Sequence, residues 1–574
     1  MQLDMNRACS HCSAAFEITK DDLAFYDDIS PIFAQKKCLI PPPTLCSECR
    51  FQRRLIFRND RHLYHRKSSF SGKQMISIYS PEKEFPVYDQ DEWWSDAWDA
   101  SSYGRDVDFS RPFYEQLQEL RLAVPRISLF TTGVENSYYT NHALFLKNCY
   151  LVFGGGHDED CLFGNYLSFS KDTLDGLCLY SCERCYEGIS SQRCYECVWF
   201  MNCRDCTSCL MIEDCESCTN CIGCFGLHRK EYCILNEQMS KEAFEERRRE
   251  LMPLTYEKLL ALQSAFDALK ATLPHRGSHT YASEDCTGDA VYGSKNSKNC
   301  FDVTNCEDCK NVAFTPKGIR SQDATFTSPD GVDHNYFVGS TVGAPRSAFT
   351  FMVWYGSDVY CSMECHHCEN VFGCAGLKNG KYCILNKQYT KEEYEKRVPQ
   401  IIEHMRKAPL RSDGATAGQA GEWGEYFPLS LCPYGYNETN ALDYFPLTRE
   451  EALSRGFTWR DELDQSETYL GPKPKIPHDI AEVPDDICSQ ILVCEVTGKP
   501  FKIIPQELKF YRSMGIPLPQ RCFDQRHRDR IGRRNPRRLW TRACAKCSKE
   551  MQTTYAPERP EIVYCEKCYL STIY

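Results

Sequence analysis

The sequence predicts a multidomain, mainly β protein: two short-coil β-solenoid (β-helix-like) arrays with helical caps, flanked by a duplicated Cys-rich module. Three observations predict it. Cys149, Cys161, Cys185, Cys197, Cys209, Cys221 and Cys233 share one twelve-residue grid whose gap is filled by Thr173, and Cys182, Cys194, Cys206 and Cys218 run three residues ahead of it. The string Cys224-Phe-Gly-Leu … Tyr232-Cys233-Ile-Leu-Asn … Ser240-Lys-Glu returns 150 residues later as Cys374-Ala-Gly-Leu … Tyr382-Cys383-Ile-Leu-Asn … Thr390-Lys-Glu. Residues 46–93 align with 522–569 at a constant offset of 476. A fixed short period means repeats stacked on one another, and the two offsets divide the chain around them.

At 574 residues the chain exceeds one ordinary core. Its net charge of −11 is uneven: residues 50–67 carry seven basic side chains against Asp60, and residues 521–542 carry nine arginines against Asp524 and Asp529. Two basic patches on an acidic body suggest anionic partners. The start MQLDMNRACS has no apolar leader core and no apolar run reaches membrane length, so a cytoplasmic location with no membrane partner is expected. In that compartment 37 cysteines are expected to be reduced or metal-bound.

The elements follow in order. An N-terminal zinc module spans 1–95. A connecting helix lies in 96–132, near Ser110–Val124, with Pro112 in its first turn and Pro125 ending it. The Cys-rich first array runs over 133–235, capping helices over 236–275, the second array over 276–386 and another capping helix over 387–410. Ser240 and Thr390 read as helix N-caps closing the open end of each stack. Segment 411–480 joins a linker, Ser412–Gly421, to an aromatic-rich stretch, 423–460, and a C-terminal zinc module fills 481–574.

Each terminal module has room for two four-ligand sites and keeps one. The first copy holds Cys9-x-x-Cys12 and Cys46-x-x-Cys49, with Ser68, Ser71, Asp89 and Glu92 at its second set. The last copy holds Cys544-x-x-Cys547 and Cys565-x-x-Cys568, with Cys494, Thr497, Cys522 and Gln525 at its first. Four thiolates on two knuckles suit tetrahedral structural zinc, which predicts zinc-ribbon or treble-clef-like modules and about two Zn²⁺ per chain. After the second knuckle, Arg50, Arg54, Arg58 and Arg61 follow at steps of four, four and three, and Arg526, Arg530, Arg534 and Arg537 repeat them. Such a stripe is a candidate phosphate clamp; a solvated face or salt bridges to the protein's own acidic body are the plainer readings.

In the arrays, twelve residues per coil predict two short strands with turns between. Their thiols have three readings: small core filler, metal between neighbouring pairs (Cys182/Cys185 with Cys194/Cys197, Cys206/Cys209 with Cys218/Cys221), or disulfides. The second array is poorer in cysteine, which favours filler. His366-His367 beside Cys365 and Cys368 is a weaker metal candidate, and no nucleophile–base–orienter set stands out, so no enzyme is expected.

The strings Cys46-x-x-Cys49-Arg-x-x-Arg-Arg-Leu, Gly498-Lys-Pro-Phe … Gly515-Ile-Pro-Leu-Pro … Cys522 and Tyr436-Asn-Glu-Thr … Tyr444-Phe-Pro-Leu-Thr448 carry a resemblance. Over nearly its full length the chain resembles the uncharacterised cysteine-rich zinc-ribbon proteins of candidate-phylum bacteria. The resemblance implies zinc ribbons and no established activity; Thr497, Gln525, Ser68 and Ser71 depart from its pattern. The expected function is a zinc-stabilised cytoplasmic scaffold or adaptor binding RNA or a ribonucleoprotein through its Arg faces. The alternatives are a thiol-rich metal-storage or redox protein, and a protein–protein adaptor docking through 423–460. Oligomeric state is not legible.

Overall fold

A computed structural model describes residues 5–327, 330–407, 421–461 and 469–573. The chain forms two compact units, each discontinuous in sequence. One combines Met1–Leu129, His279–Arg460 and Arg537–Leu539; the other combines Phe130–Ser278, Asp461–Pro536 and Trp540–Tyr574. The N-terminal module thus shares a unit with the second array, and the C-terminal module with the first. The linker expected at 412–421 lies outside the described residues apart from Gly421. Among the described residues no helix is long and apolar enough to cross a membrane.

Both arrays are parallel β-ladders. In the first, strands from Asn165–Ser168 to Glu231–Ile234 pair in sequence order, with each residue opposite the one twelve later, as in Leu177↔Ile189 and Tyr186↔Val198. The second keeps this register from Tyr336↔Ala348 onward and widens it to fourteen at Gln322↔Tyr336.

The local step is three residues, not the six or so of two strands per coil. Bridges recur at Glu135↔Lys147, Tyr138↔Tyr150, Asn141↔Phe153 and Leu144↔Gly156, so the chain pairs with its next pass at every third residue. The residue after each bridge is left-handed: Asn136, Tyr139, His142, Phe145, Asn148 and Leu151 all have φ between 45° and 53°. A left-handed L-residue costs about 1–2 kcal/mol, most where Cβ is branched. No positive-φ residue among those described is Val, Ile or Thr, whereas bridging positions carry Ile189, Val198 and Ile222. The backbone bonds offset the strain. Glu135 N–H donates to the Leu146 carbonyl (2.8 Å), and the Glu135 carbonyl accepts from Asn148 N–H (3.0 Å).

The third position points inward, and the cysteines occupy it. From Cys149 to Cys233 every cysteine but Cys178 lies on this phase, and all of those are buried. The inward residue's own N–H points away from the ladder. Side chains satisfy it: Ser137 Oγ accepts from Cys149 N–H (2.9 Å), Ser191 Oγ from Cys203 (3.0 Å), and Cys224 Sγ from Asn236 (3.4 Å). Thiols in turn donate to carbonyls two residues back or nine ahead, as Cys149 Sγ does to Lys147 (3.3 Å) and Asp158 (3.5 Å). Thr173 makes the same two contacts, which explains why it fills the gap. Cysteine is small enough for this interior and still a weak donor and acceptor. Burial pushes the thiols of Cys161, Cys185, Cys203 and Cys215 well up, so they stay protonated.

Each ladder ends alike. A short antiparallel return pairs Cys233 with Gln238 and Cys383 with Gln388. Asn236 then staples the backbone of Phe225 through both amide atoms (2.9 and 2.8 Å), and Asn386 does so to Ala375 (2.9 and 2.8 Å). Ser240 and Thr390 cap the following helices, Lys241–Leu251 and Lys391–Lys407, by accepting from Ala243 and Glu393 N–H.

One outer face of the first array is apolar: Leu162, Leu174, Tyr186, Val198, Leu210 and Ile222 rise at twelve-residue steps and are buried with Leu508, Phe510 and Tyr511 of the C-terminal module. In the other unit the aromatic segment expected to dock a partner is core instead: Trp423, Tyr426, Phe427, Tyr434 and Tyr436 are all buried. Tyr426 stacks on Phe337 at 4.5 Å and its hydroxyl donates to the Thr350 carbonyl.

Replacing inward Cys197 by Leu overpacks the first array and is expected to cost about 1–3 kcal/mol, against less for Cys197→Ser, read from urea unfolding midpoints. A second expectation concerns inward Asp158, which is buried and accepts only the N–H groups of Gly156 and Ser170 (2.9 Å each). Burial raises its carboxyl to about 7 against those two donors. The folded state therefore holds this proton more tightly than the unfolded chain. Its contribution is full below about pH 4 and lost as pH rises through 7, a fall of about 2–4 kcal/mol. Asp158→Asn is expected to flatten that part of the stability–pH curve.

Candidate metal centres and the arginine faces

Four knuckles share one backbone. In each, the first residue donates its N–H to a carbonyl five residues on and its own carbonyl accepts from the N–H four on. The bonds are Cys9–Ala14 and Ser13–Cys9, Ser68–Lys73 and Gly72–Ser68, Cys494–Lys499 and Gly498–Cys494, Cys544–Lys549 and Ser548–Cys544, every one 2.9 Å. The turn closes on a left-handed residue, Ser13, Gly72, Gly498 or Ser548, with φ between 60° and 77°. Each knuckle sits between two short antiparallel strands, as in Met5–Ala8 with Ala15–Ile18 and Trp540–Ala543 with Glu550–Thr553.

The second pair of each quartet comes from a helix start. Cys46 is the N-cap of the helix Ser47–Leu55, and Cys565 precedes the helix Glu566–Ile573. The positive helix end favours thiolate there. The sulfurs of Cys9, Cys12, Cys46 and Cys49 lie within 4.8 Å of one another, as do those of Cys544, Cys547, Cys565 and Cys568. Cys12 and Cys46 are 3.7 Å apart, and Cys547 and Cys565 are 3.8 Å apart. A tetrahedron of thiolates about 2.3 Å from a central ion has edges of about 3.8 Å, so the donor set fits a zinc-sized metal.

One sulfur in each quartet is prepared as an anion. Cys9 Sγ accepts the Cys46 N–H (3.3 Å) and Cys544 Sγ the Cys565 N–H (3.2 Å). The Cys46 and Cys49 thiols, with backbone N–H groups, hold Cys9 well below the usual thiol range. Against a raising effect of burial, the N–H groups of Cys565, Cys547 and Lys546 bring Cys544 to about 6. Cys568 in the same quartet is pushed up to about 12 by burial and by the other three sulfurs.

The two degenerate sets keep the fold by other means. Ser68 Oγ donates to Glu92, whose carboxylate also accepts Asp89 N–H (3.2 Å), and Asp89 caps the helix Gln90–Trp94. At the other, Thr497 Oγ1 lies 3.9 Å from Cys522 Sγ, while Gln525 turns away to donate to Asp529 (2.7 Å).

Among the described residues, no group of array thiols comes within coordinating reach in the manner of the terminal quartets, so the pairs around Cys182 and Cys206 are not metal sites of that kind. All cysteines are free thiols, with no disulfide lacing the arrays. His366 is likewise no ligand: it is buried among Trp93, Trp94 and Trp354.

The arginine faces are corrected by the structure. They are not open to an anionic partner, because most of their guanidinium groups are buried against acidic side chains of the same unit. Arg50 Nε and Arg54 Nη1 grip the two oxygens of Asp323 at 2.9 and 3.0 Å, and Arg54 is 2% exposed. Arg526 Nε and Arg530 Nη1 grip Asp175 at 3.0 and 2.9 Å, and Arg530 is 1% exposed. Glu507 and Glu187 add further contacts to this second pair, at 3.4 and 2.6 Å. Arg58 pairs with Asp60 (2.7 Å) and lies over Phe326, Arg534 reaches Cys178 Sγ (3.1 Å), and Arg537 pairs with Asp302 between Phe314 and Tyr444. Arg61 is half-buried. The duplicated arginines thus fasten each zinc-type module to an array.

The receiving acids, Asp323, Asp175, Glu187 and Glu507, were not singled out in the sequence. Asp175 and Glu187 are left-handed positions of the first array, where Asp is common for backbone reasons alone. The apolar docking ladder was findable, since Leu162, Leu174, Tyr186, Val198, Leu210 and Ile222 share a twelve-residue grid of their own.

Comparison with known proteins adds little. No family profile matches the chain. No curated protein matches it. Among solved structures, a Desulfovibrio desulfuricans G20 protein described as an acetyltransferase aligns at 7% identity and TM-score 0.10, over 42% of this chain and 65% of its own. The aligned part is thus under two thirds of that protein, and a likeness at that score bears on neither fold nor function.

Asp323→Asn leaves two buried guanidinium groups facing one neutral amide. The expected cost to the unit that holds it is about 3–5 kcal/mol in chemical unfolding. Asp175→Asn is expected to cost less, because Glu187 and Glu507 still face Arg530 and Arg526.

Proposed function

We propose that this protein is a zinc-stabilised cytoplasmic scaffold in which two β-solenoids are each clamped by a terminal zinc module. The observation that carries this reading is the pair of closed four-cysteine quartets, one in each of the two modules whose arginines are spent on an array. Four thiolates leave no open coordination position, so the metal's role is structural: in the N-terminal module it fixes the knuckle against the helix that bears the docking arginines, and in the C-terminal module against the helix Glu566–Ile573. The twelve-residue register with bridges at each third residue supports the solenoid description.

The partner reading shifts toward protein. An RNA or ribonucleoprotein partner was expected through arginines that are now occupied within the fold. An exposed aromatic ladder supports the adaptor reading instead. On the first array, Phe145, His157 and Phe169 stack at 4.9 and 4.8 Å, Tyr180 follows at 5.6 Å, and Phe145, Phe169 and Tyr180 are about half exposed. Exposed apolar rings in a continuous row are a mark of protein contact surfaces.

Metal analysis of the purified chain tests the scaffold. Two zinc ions per chain are expected, and Cys544→Ser is expected to lower the count to one and to loosen the C-terminal module in limited proteolysis. A count far above two identifies the storage alternative. Acid is expected to release the metal as protons compete for the thiolates.

A further inference from the structure

The unit containing the N-terminal module carries an open cavity of about 370 Å³ beside the helix Phe113–Ala123. Phe85, Leu122 and Leu431 supply apolar wall, and two guanidinium groups, Arg121 and Arg126, line it. Both arginines are 3% exposed. Only one of them has a carboxylate partner. Arg121 Nη2 meets Glu364 at 2.8 Å and its Nη1 donates to the Leu431 carbonyl. Among the described residues, Arg126 has no carboxylate within ion-pair distance. Its Nη2 reaches the Arg121 carbonyl at 3.4 Å, its Nε and Nη1 have no hydrogen-bond partner, and its plane packs 3.6 Å from the Phe85 ring centre.

A buried cation without a counter-charge is costly, and this one lies against a second cation. Burial and the neighbouring Arg121 bring Arg126 down to about 10. The other charges at the cavity nearly cancel. Lys83 opposes Glu84, and Glu82 is already paired with Arg460 at 2.7 Å. Arg126 is left without a direct counter-charge beside an apolar wall.

We propose that this cavity is a binding site for a small organic monoanion, a carboxylate with an apolar body, whose charge completes the Arg121–Arg126–Glu364 cluster. The volume is at the small end of ligand pockets. A single guanidinium without a direct counter-charge selects a monoanion over a phosphate dianion, which the rim carboxylates would repel. The site is independent of the metal centres and of the scaffold reading.

Calorimetric titration of the full, metal-loaded chain with benzoate tests it, with benzamide, inorganic phosphate and chloride as comparators. Benzoate is expected to bind one per chain and to raise the thermal midpoint, with benzamide at least tenfold weaker. Arg126→Gln is expected to weaken benzoate at least tenfold. Should that variant fold poorly, Leu122→Trp serves instead: Leu122 is 48% exposed on the cavity wall, so a larger ring there closes the cavity and leaves Arg126 in place. Absence of benzoate binding, equal binding of benzamide, chloride or phosphate, or binding that survives both substitutions overturns the proposal.

Discussion

The constraint on which the arrays rest is a left-handed residue at every third position. That backbone turns one side chain inward at each step, and most of these positions take a small residue, with larger ones such as Leu167, Leu179, Phe200 and Ile212 between them. It also points many of the inward N–H groups of the first array away from the ladder, where inward side chains meet them. Cysteine answers both demands: its volume fits, and its sulfur both accepts an N–H and donates to a carbonyl. Serine does the same at other steps, while one threonine donates to carbonyls and one aspartate accepts N–H groups. The cysteine richness of the protein therefore has two unrelated causes. In the arrays thiols are packing groups, and at the ends they are prepared ligands.

The second organising feature is a carboxylate held by two arginines one helical turn apart. It occurs twice, with different surroundings: Arg54 lies over Phe337 where Arg530 instead meets Glu187. Duplication kept the helix and its arginines while the metal sets diverged reciprocally. The reason is physical. A knuckle can lose its ligands and keep its turn through backbone bonds and a serine–glutamate substitute, whereas a buried guanidinium cannot lose its acid without stranding a charge in the interior.

Much of the architecture was legible in particular residues. The Cys149-to-Cys233 grid gave the parallel register, the 150-residue echo gave the paired ends with Asn236 and Asn386, and the knuckle spacings gave both quartets. The three-residue step was also written there, since the array cysteines other than Cys178 share one phase of three. It was missed because twelve is a multiple of both three and six, and cysteine alone does not distinguish a strand from a corner.

By itself, the sequence determined what is periodic and local: register, turns, caps and the residues able to ligate metal, each set by spacing along the chain. Tertiary structure alone decided what the charges and aromatic rings do. Arg50 and Asp323 are 273 residues apart and Arg526 and Asp175 are 351 apart, so nothing in either neighbourhood marks the other as its partner. The same basic stripe is a phosphate clamp when it faces water and a clasp when it faces a buried acid. That choice depends on which array the module folds against, a long-range pairing that local composition does not encode.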